Sequence, residues 1–298
     1  MIELKLSQGA KPGHGGILPG RKVTPEIAAI RGVESGETVF SPPAHRAFSS
    51  PRGLVQFIAR LRELAGGKPV GFKLVIGRRA DFFAICKAIA SEGCEPDFIA
   101  IDGGEGGTGA APLEFANSMG MPMRDALIFA HSALRGSGIR DRIRLIASGK
   151  IVTGFDMIRA LALGADLCSS ARGMMLALGC IQALRCNANV CPTGIATQDT
   201  ALVAGLHVGN KTERVANYHH GTVHSFLELL AAMGLESPDE LRPHHIYRRL
   251  GDLQVGTFAE LYDFLEPGEL REGGDAPEIY LRAWELADPD RWLTEPRN

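Results

Sequence analysis

The sequence predicts an α/β fold of the (βα)8 TIM-barrel type, incomplete at about six of its eight strands and followed by a helical C-terminal extension. Three observations predict it. Short β-branched or aromatic runs alternate with amphipathic helical patterns, the signature of βα units around a parallel sheet. Several of those runs end in glycine- or hydroxyl-rich turns, where parallel α/β folds place their ligands. The chain has 298 residues, 45% of them hydrophobic, with 36 Gly and 17 Pro, the size of one barrel with one large core.

Strands are expected at residues 2–7, 39–42, 70–76, 98–103, 144–148 and 167–171. The clearest helix begins at Ser50 and Pro51, a cap residue followed by a first-turn proline. It puts Leu54, Phe57, Ile58 and Leu61 on one face and stops at Gly66 and Gly67. A second, from about Thr153, carries Met157, Ile158 and Leu161 towards a core and ends at Gly164. After Pro192 the strand pattern stops, and helices are expected at about 213–233, 238–250 and 258–265. The predicted division is therefore a barrel portion over 1–200, with a cysteine segment at 179–196, and a helical extension over 201–298.

The formal charge is −2 and the pI about 6.5, without the basic excess that phosphate-backbone binding needs, so nucleic acid is not an expected partner. No run approaches the ~20 apolar residues that span a bilayer, and the first residues lack the basic start and apolar stretch of a secretory signal. A soluble, cytoplasmic protein with no membrane partner is expected. Of six cysteines, Cys86, Cys94 and Cys168 read as small core hydrophobes, whereas three cluster in a way that points to metal or redox chemistry.

Two turns after late strands, Ser148-Gly149-Lys150 and Ala171-Arg172-Gly173, supply backbone N–H groups, a hydroxyl and two cations. Together they suit a phosphate monoester; singly, each is as well read as a tight turn with a solvated cation. Lys73 lies inside an apolar strand, so it either reaches the strand end and water or meets an anionic partner. Beside a flavin pyrimidine ring it would stabilise the anionic reduced form. Lys5 poses the same question. Residues 8–22 hold too much Gly and Pro for regular structure and form a loop at a strand end, where Lys11 and, further on, Arg31 could pair with carboxylates. The glycine loop from Asp102 and Gly103 to Pro112 has the wrong spacing for a dinucleotide fingerprint and suits close backbone approach to a flat or charged ligand. Cys180, Cys186 and Cys191, the last followed by Pro192, are too widely spaced for an ordinary zinc site. A Cys-Pro ending is typical of iron-sulfur ligation, and three thiolates suit a three-iron cluster.

Taken in order, IELKLSQGAKPGHGGILPG, VFSPPAH, FKLVIG, GGEGGTGAAP and GCIQALRCNANVCPTGIATQ resemble the FMN-binding synthase domain of glutamate synthases over about residues 2–200. The resemblance implies FMN in the barrel and a 3Fe-4S cluster at Cys180, Cys186 and Cys191. It implies that ammonia condenses with 2-oxoglutarate and that the product is L-glutamate, with electrons from ferredoxin or a reductase subunit. It places Gln8, Lys73, Asp102, Gly103 and Ser148 at the flavin and Gly149, Lys150, Ala171 and Arg172 at its phosphate. Lys5, Lys11 and Arg31 would hold the substrate, with Lys5 and Lys73 as catalytic residues.

Two departures stand out. Ile17 takes the place of a family glutamine, and the loop at Asp102 loses a hydroxyl and an imidazole. A lost donor changes specificity, so a subunit similar to N-methylglutamate synthase, acting on another amine, and an inactive scaffold subunit are the competing readings. The strand at Ile2 matches the third of the family's barrel. The chain is expected to be a fragment, a truncated reading frame or one partner of a split protein, with the missing N-terminal barrel segment or a glutaminase subunit as its partner and ammonia coming from solution or another polypeptide.

Overall fold

The computed structural model describes residues 1–106, 111–112 and 114–292. The chain opens with β1 (Ile2–Lys5), the short β2 (Ile17–Leu18), α1 (Pro25–Arg31) and β3 (Val39–Phe40). Four βα steps follow: α2 (Pro51–Leu64) and β4 (Val70–Leu74), α3 (Arg79–Glu92) and β5 (Phe98–Asp102), α4 (Met123–Gly136) and β6 (Arg144–Ser148), α5 (Gly154–Ala162) and β7 (Leu167–Ser169). Local chemistry sets the helix starts. Ser50 Oγ accepts the Gly53 N–H ahead of α2, and Thr153 forms a capping box with Asp156 ahead of α5, satisfying donors that the first turn leaves free.

β1, β4, β5, β6 and β7 form one parallel sheet in that spatial order. Each crossover returns to the neighbouring strand without reversal, which is how a (βα)8 barrel winds and how a doubly wound sheet does not. This is the incomplete barrel expected, with five strands in it rather than six. The run at 39–42 yields only Val39–Phe40, antiparallel to Ile17–Leu18 and outside the main sheet.

Strand alternation assigns the two faces. Leu4, Phe72, Leu74, Ile99 and Ile101 pack against the helices with Leu54, Ile58, Phe82, Phe83, Leu127 and Leu134. Phe98, Ala100 and Ile146 form a separate small cluster on the other face, the same side that Lys5, Lys73 and Asp102 occupy by alternation. At the amino ends of the strands, Asp97 and Asp166 do the same job one βα step apart. Each takes an N–H from the start of the preceding strand at 2.7 Å, from Val70 and Leu145, and an arginine at 2.8 Å, Arg62 and Arg140.

After β7 come α6 (Arg172–Leu178), the cysteine loop, α7 (Thr200–Val203) and α8 (Val208–Ala232). α8 packs on α5 and α6, so closely that a Cβ on Gly173 would stand 2.0 Å from Tyr218 Oη. It begins earlier than the expected 213 because His207 Nδ1 caps it at the Asn210 N–H. The helix expected at 238–250 is absent. Pro238 and Pro243 each open a single 3-10 turn, and the chain then forms β8 (Tyr247–Arg249), antiparallel to β9 (Val255–Thr257). Strands thus recur after Pro192. The helix expected at 258–265 is the short α9 (Phe258–Leu261), and α10 (Glu278–Leu286), not foreseen, lies against α3, with Trp284 edge-on to Phe83. Among the described residues no helix is long and apolar enough to cross a membrane.

Candidate functional site

The parallel register puts the carboxyl ends of β1, β4, β5 and β6 side by side: Lys5 is the partner of Lys73, and Asp102 of Ser148. Asp102 is buried and ties these ends together. Its Oδ2 accepts the Gly9 N–H at 2.9 Å and lies 3.3 Å from Lys73 Nζ, and its Oδ1 accepts the Ser148 hydroxyl at 3.0 Å. Lys73 therefore has an anionic partner, which answers how a charge sits in an apolar strand. Lys5 Nζ donates to Gln8 Oε1 at 3.0 Å. Lys5 is exposed as a residue, but partial desolvation holds its ammonium below the usual lysine range, and the charges of Lys73 and Lys11 add to this, opposed by Asp102 and Glu3. Lys5 and Lys73 thus stand side by side in register, with the buried Asp102 carboxylate on Lys73 and the charge of Lys11 acting on Lys5.

Glycine makes the rim possible. A Cβ on Gly9 would fall 1.9 Å from the Gly103 carbonyl oxygen, and one on Gly104 would fall 2.3 Å from that of Gly120. The described glycines of the 102–112 loop thus serve approach to the protein's own backbone; Gly107, Thr108, Gly109 and Ala110 lie outside the described residues. Glu105, unremarked in the sequence, accepts the Met123 N–H through both carboxylate oxygens, at 3.0 and 2.8 Å, and so caps α4. A glutamate 18 positions before the helix start carries no local signal of that role.

The two turns foreseen as a phosphate cradle are adjacent. Ser148 is the register partner of Ser169, and Ser170 Oγ donates to the Ile151 carbonyl at 2.7 Å. Gly149 has φ 147°, Lys150 adopts φ 51° with an exposed side chain, and Arg172 is half-buried beside Ala171 at the start of α6. Two cations on two joined turns are a donor set that suits a phosphate monoester. Arg31 is not brought in: it stands exposed on the last turn of α1, with no hydrogen bond or ion pair to Lys5, Lys11 or Lys73 among the described residues.

The cysteine loop leaves α6 through Gly179 and turns repeatedly through left-handed residues, Gln182, Leu184 and Asn189. Lys22 Nζ donates to the Cys186 carbonyl, which links this loop to the turn after β2. Cys180 Sγ accepts the Gln182 N–H at 3.4 Å. Cys191 is buried, which by itself raises its thiol pKa. The Thr193 hydroxyl and the N–H groups of Ala196, Thr193 and Ile195 outweigh burial and bring it to about 7. Three thiols with N–H donors turned on one of them are the right chemistry for iron-sulfur ligation. Their convergence is not made: among the described residues no group of three or more His, Cys, Asp or Glu is arranged to hold a metal ion. Of the other cysteines, Cys86 is buried, whereas Cys94 and Cys168 are half-buried against the core.

Residues 1–236 match the family described as a conserved region in glutamate synthase. A glutamate synthase large subunit-like protein, YerD, of Bacillus subtilis is 43% identical over 251 residues, covering 84% of this chain and 47% of that protein. An archaeal glutamate synthase (NADPH) of Methanocaldococcus jannaschii is 41% identical over 242 residues, covering 81% and 47%. A ferredoxin-dependent glutamate synthase of Cyanidium caldarium is 36% identical over 240 residues, covering 80% and 15%. The chain thus spans about half the length of the first two relatives and a smaller share of the third.

Proposed function

Because the chain belongs to the glutamate synthase family, we propose that it forms the synthase part of such an enzyme, which reductively aminates 2-oxoglutarate to L-glutamate. The observation that carries this reading is the pair Lys5 and Lys73, register partners at the carboxyl ends of adjacent parallel strands, with the buried Asp102 on Lys73 and the charge of Lys11 acting on Lys5. Lys5, Lys73 and Lys11 outnumber Asp102 and Glu3, the carboxylates that act on Lys5, and a dicarboxylic keto acid would neutralise the positive surplus. Lys5 and Lys11 bind its carboxylates, without Arg31, which stands exposed on α1 away from these strand ends. Lys5, an ammonium whose pKa is lowered, is also placed to give a proton to the developing amine.

FMN, when bound, supplies the hydride. Gln8, Lys73, Asp102, Gly103 and Ser148 line its ring site, where Asp102 orients Lys73, and Gly149, Lys150, Ala171 and Arg172 hold its phosphate. Cys180, Cys186 and Cys191 would hold a 3Fe-4S cluster that relays electrons, a reading that rests on their spacing and donor chemistry. The names of the relatives point to NADPH or ferredoxin as the class of electron source. The outer strands β1 and β7 are where further strands of the barrel would pair.

The test is anaerobic purification followed by a visible spectrum, flavin identification and iron analysis, then glutamate formation from 2-oxoglutarate with a reduced dye as donor. FMN, about three iron atoms per chain and preference for ammonia over methylamine are expected. FAD at full occupancy, or zinc without iron, would overturn the corresponding site assignment.

A further inference from the structure

The family match ends at residue 236, and the last part of the chain beyond it folds back onto the N-terminal half. Arg52, at the start of α2, is the latch. Its backbone N–H donates to the Pro289 carbonyl at 2.8 Å, its Nε reaches Asp290 Oδ1 at 2.5 Å, and its Nη1 pairs with Glu92 on α3. One helix away, Lys87 Nζ donates to the carbonyls of Trp284 and Ala287 at 2.7 and 3.0 Å, and lies 4.6 Å from the Trp284 ring centroid.

Two residues past Asp290, Trp292 packs against the main core and lines a crevice of about 670 Å³. Ser7, Pro12 and Gly13 line the same crevice from the loop that carries Gln8 and Lys11; Leu74 lines it from the end of the strand that carries Lys73; Phe48 and Phe82 complete its apolar side. A loop built of Gly and Pro has few side chains with which to fix itself. A rigid aromatic wall limits the conformations it visits before a ligand arrives, which is how preorganisation raises affinity.

We propose that the C-terminal strap positions the loop after β1, with Trp292 as its wall and Arg52 as the latch that holds the wall in place. That the loop's ligand is a dicarboxylic keto acid rests on the function proposed above; the strap's hold on the loop does not. Trp292 is a positioning residue, acting through Gln8 and Lys11.

Hydrogen exchange on the full chain without ligand tests it. In Trp292→Ala the amides of residues 8–13 are expected to exchange roughly tenfold faster while those of β5 and α4 keep their rates. Trp292→Phe should restore protection, and Arg52→Ala should reproduce the loss with the core unchanged. Calorimetry with 2-oxoglutarate should show affinity roughly tenfold weaker in Trp292→Ala. Unchanged exchange at residues 8–13 in both the alanine variants overturns the proposal, as does equal loss across β5 and α4. A responsive loop in a protein that binds no 2-oxoglutarate supports the strap and overturns the ligand assignment instead.

Discussion

Lys73 Nζ stands 3.3 Å from Asp102 Oδ2, and the same carboxylate holds the Gly9 amide and the Ser148 hydroxyl. One buried anion thus sets the geometry of three strand ends and offsets the charge of the lysine assigned to the flavin.

Replacing Asp102 by Asn keeps the shape and one acceptor but removes that offset. An uncompensated Lys73 favours the anionic reduced flavin, so the midpoint potential of bound FMN is expected to rise by on the order of 30 mV, equivalent to about 1.4 kcal/mol for a two-electron couple. Dye-equilibration titration of the flavin measures it. An unmoved potential would place Lys73 away from the ring.

Gly9 and Gly13 belong to one loop and should respond oppositely to a methyl group. At Gly9 the added Cβ meets a backbone oxygen at 1.9 Å, whereas Gly13, at φ 68°, has open space around it. Gly13→Ala is expected to cost about 1 kcal/mol from the left-handed backbone alone. Gly9→Ala should cost more and abolish ligand binding, because the loop must leave Asp102. Thermal melts with and without 2-oxoglutarate separate the two.

The apolar strands over 70–74, 98–102 and 144–148 were legible because burial on both faces leaves a run of the right length and composition. The run at Val39 misled: two residues pair only with Ile17 and Leu18, and an alternating pattern does not say which partner a strand will find. Pro238 and Pro243 fit helix starts, yet each opens only one turn: Pro243 bars the first from continuing, and the chain after the second enters the pairing of Tyr247–Arg249 with Val255–Thr257. Lys5 and Lys73 stood out as cations in apolar runs. That Asp102 joins Lys73 to Gly9, 93 residues from the aspartate, depends on sheet register, which no local pattern encodes. Trp292, isolated near the end of the chain, carries no periodic signal at all.

His131 predicts an acid limit to stability. It is half-buried, and this desolvation, with Arg140 and Arg135 close by, pushes its pKa down to about 4; its Nδ1 accepts from Arg140 Nε at 3.2 Å. The unfolded chain takes up that proton near pH 6.5 and the folded chain only near 4, so the unfolded state binds more protons between them. Stability present above about pH 6.5 is therefore lost as the pH falls towards 4, by on the order of 3 kcal/mol from this group. Urea unfolding across that range should show a shallower decline in His131→Asn, which keeps an acceptor but does not titrate.

Lys5 predicts the pH dependence of ligand binding at the opposite end of the scale. Partial desolvation, then Lys73 and Lys11, lower its pKa below the ordinary lysine value, against Asp102 and Glu3. In the unliganded protein the unfolded chain thus holds this proton more firmly, and between the lowered value and 10.5 the penalty for keeping the charge fades as pH rises. A bound dicarboxylate reverses the preference, since an anion at the amine favours the ammonium. Affinity for 2-oxoglutarate should therefore be highest below the lowered pKa and fall as pH rises through it, earlier than a surface lysine would cause. Lys5→Met should remove the bend and weaken binding by about 1.5–3 kcal/mol, the loss of a charged hydrogen bond. Lys5→Arg should keep the charge and push the bend out of range, because a guanidinium does not deprotonate there. Calorimetric titrations from about pH 7 to about pH 10 decide it. A bend that persists in Lys5→Met would assign the titration to a neighbouring amine and remove Lys5 from the substrate site.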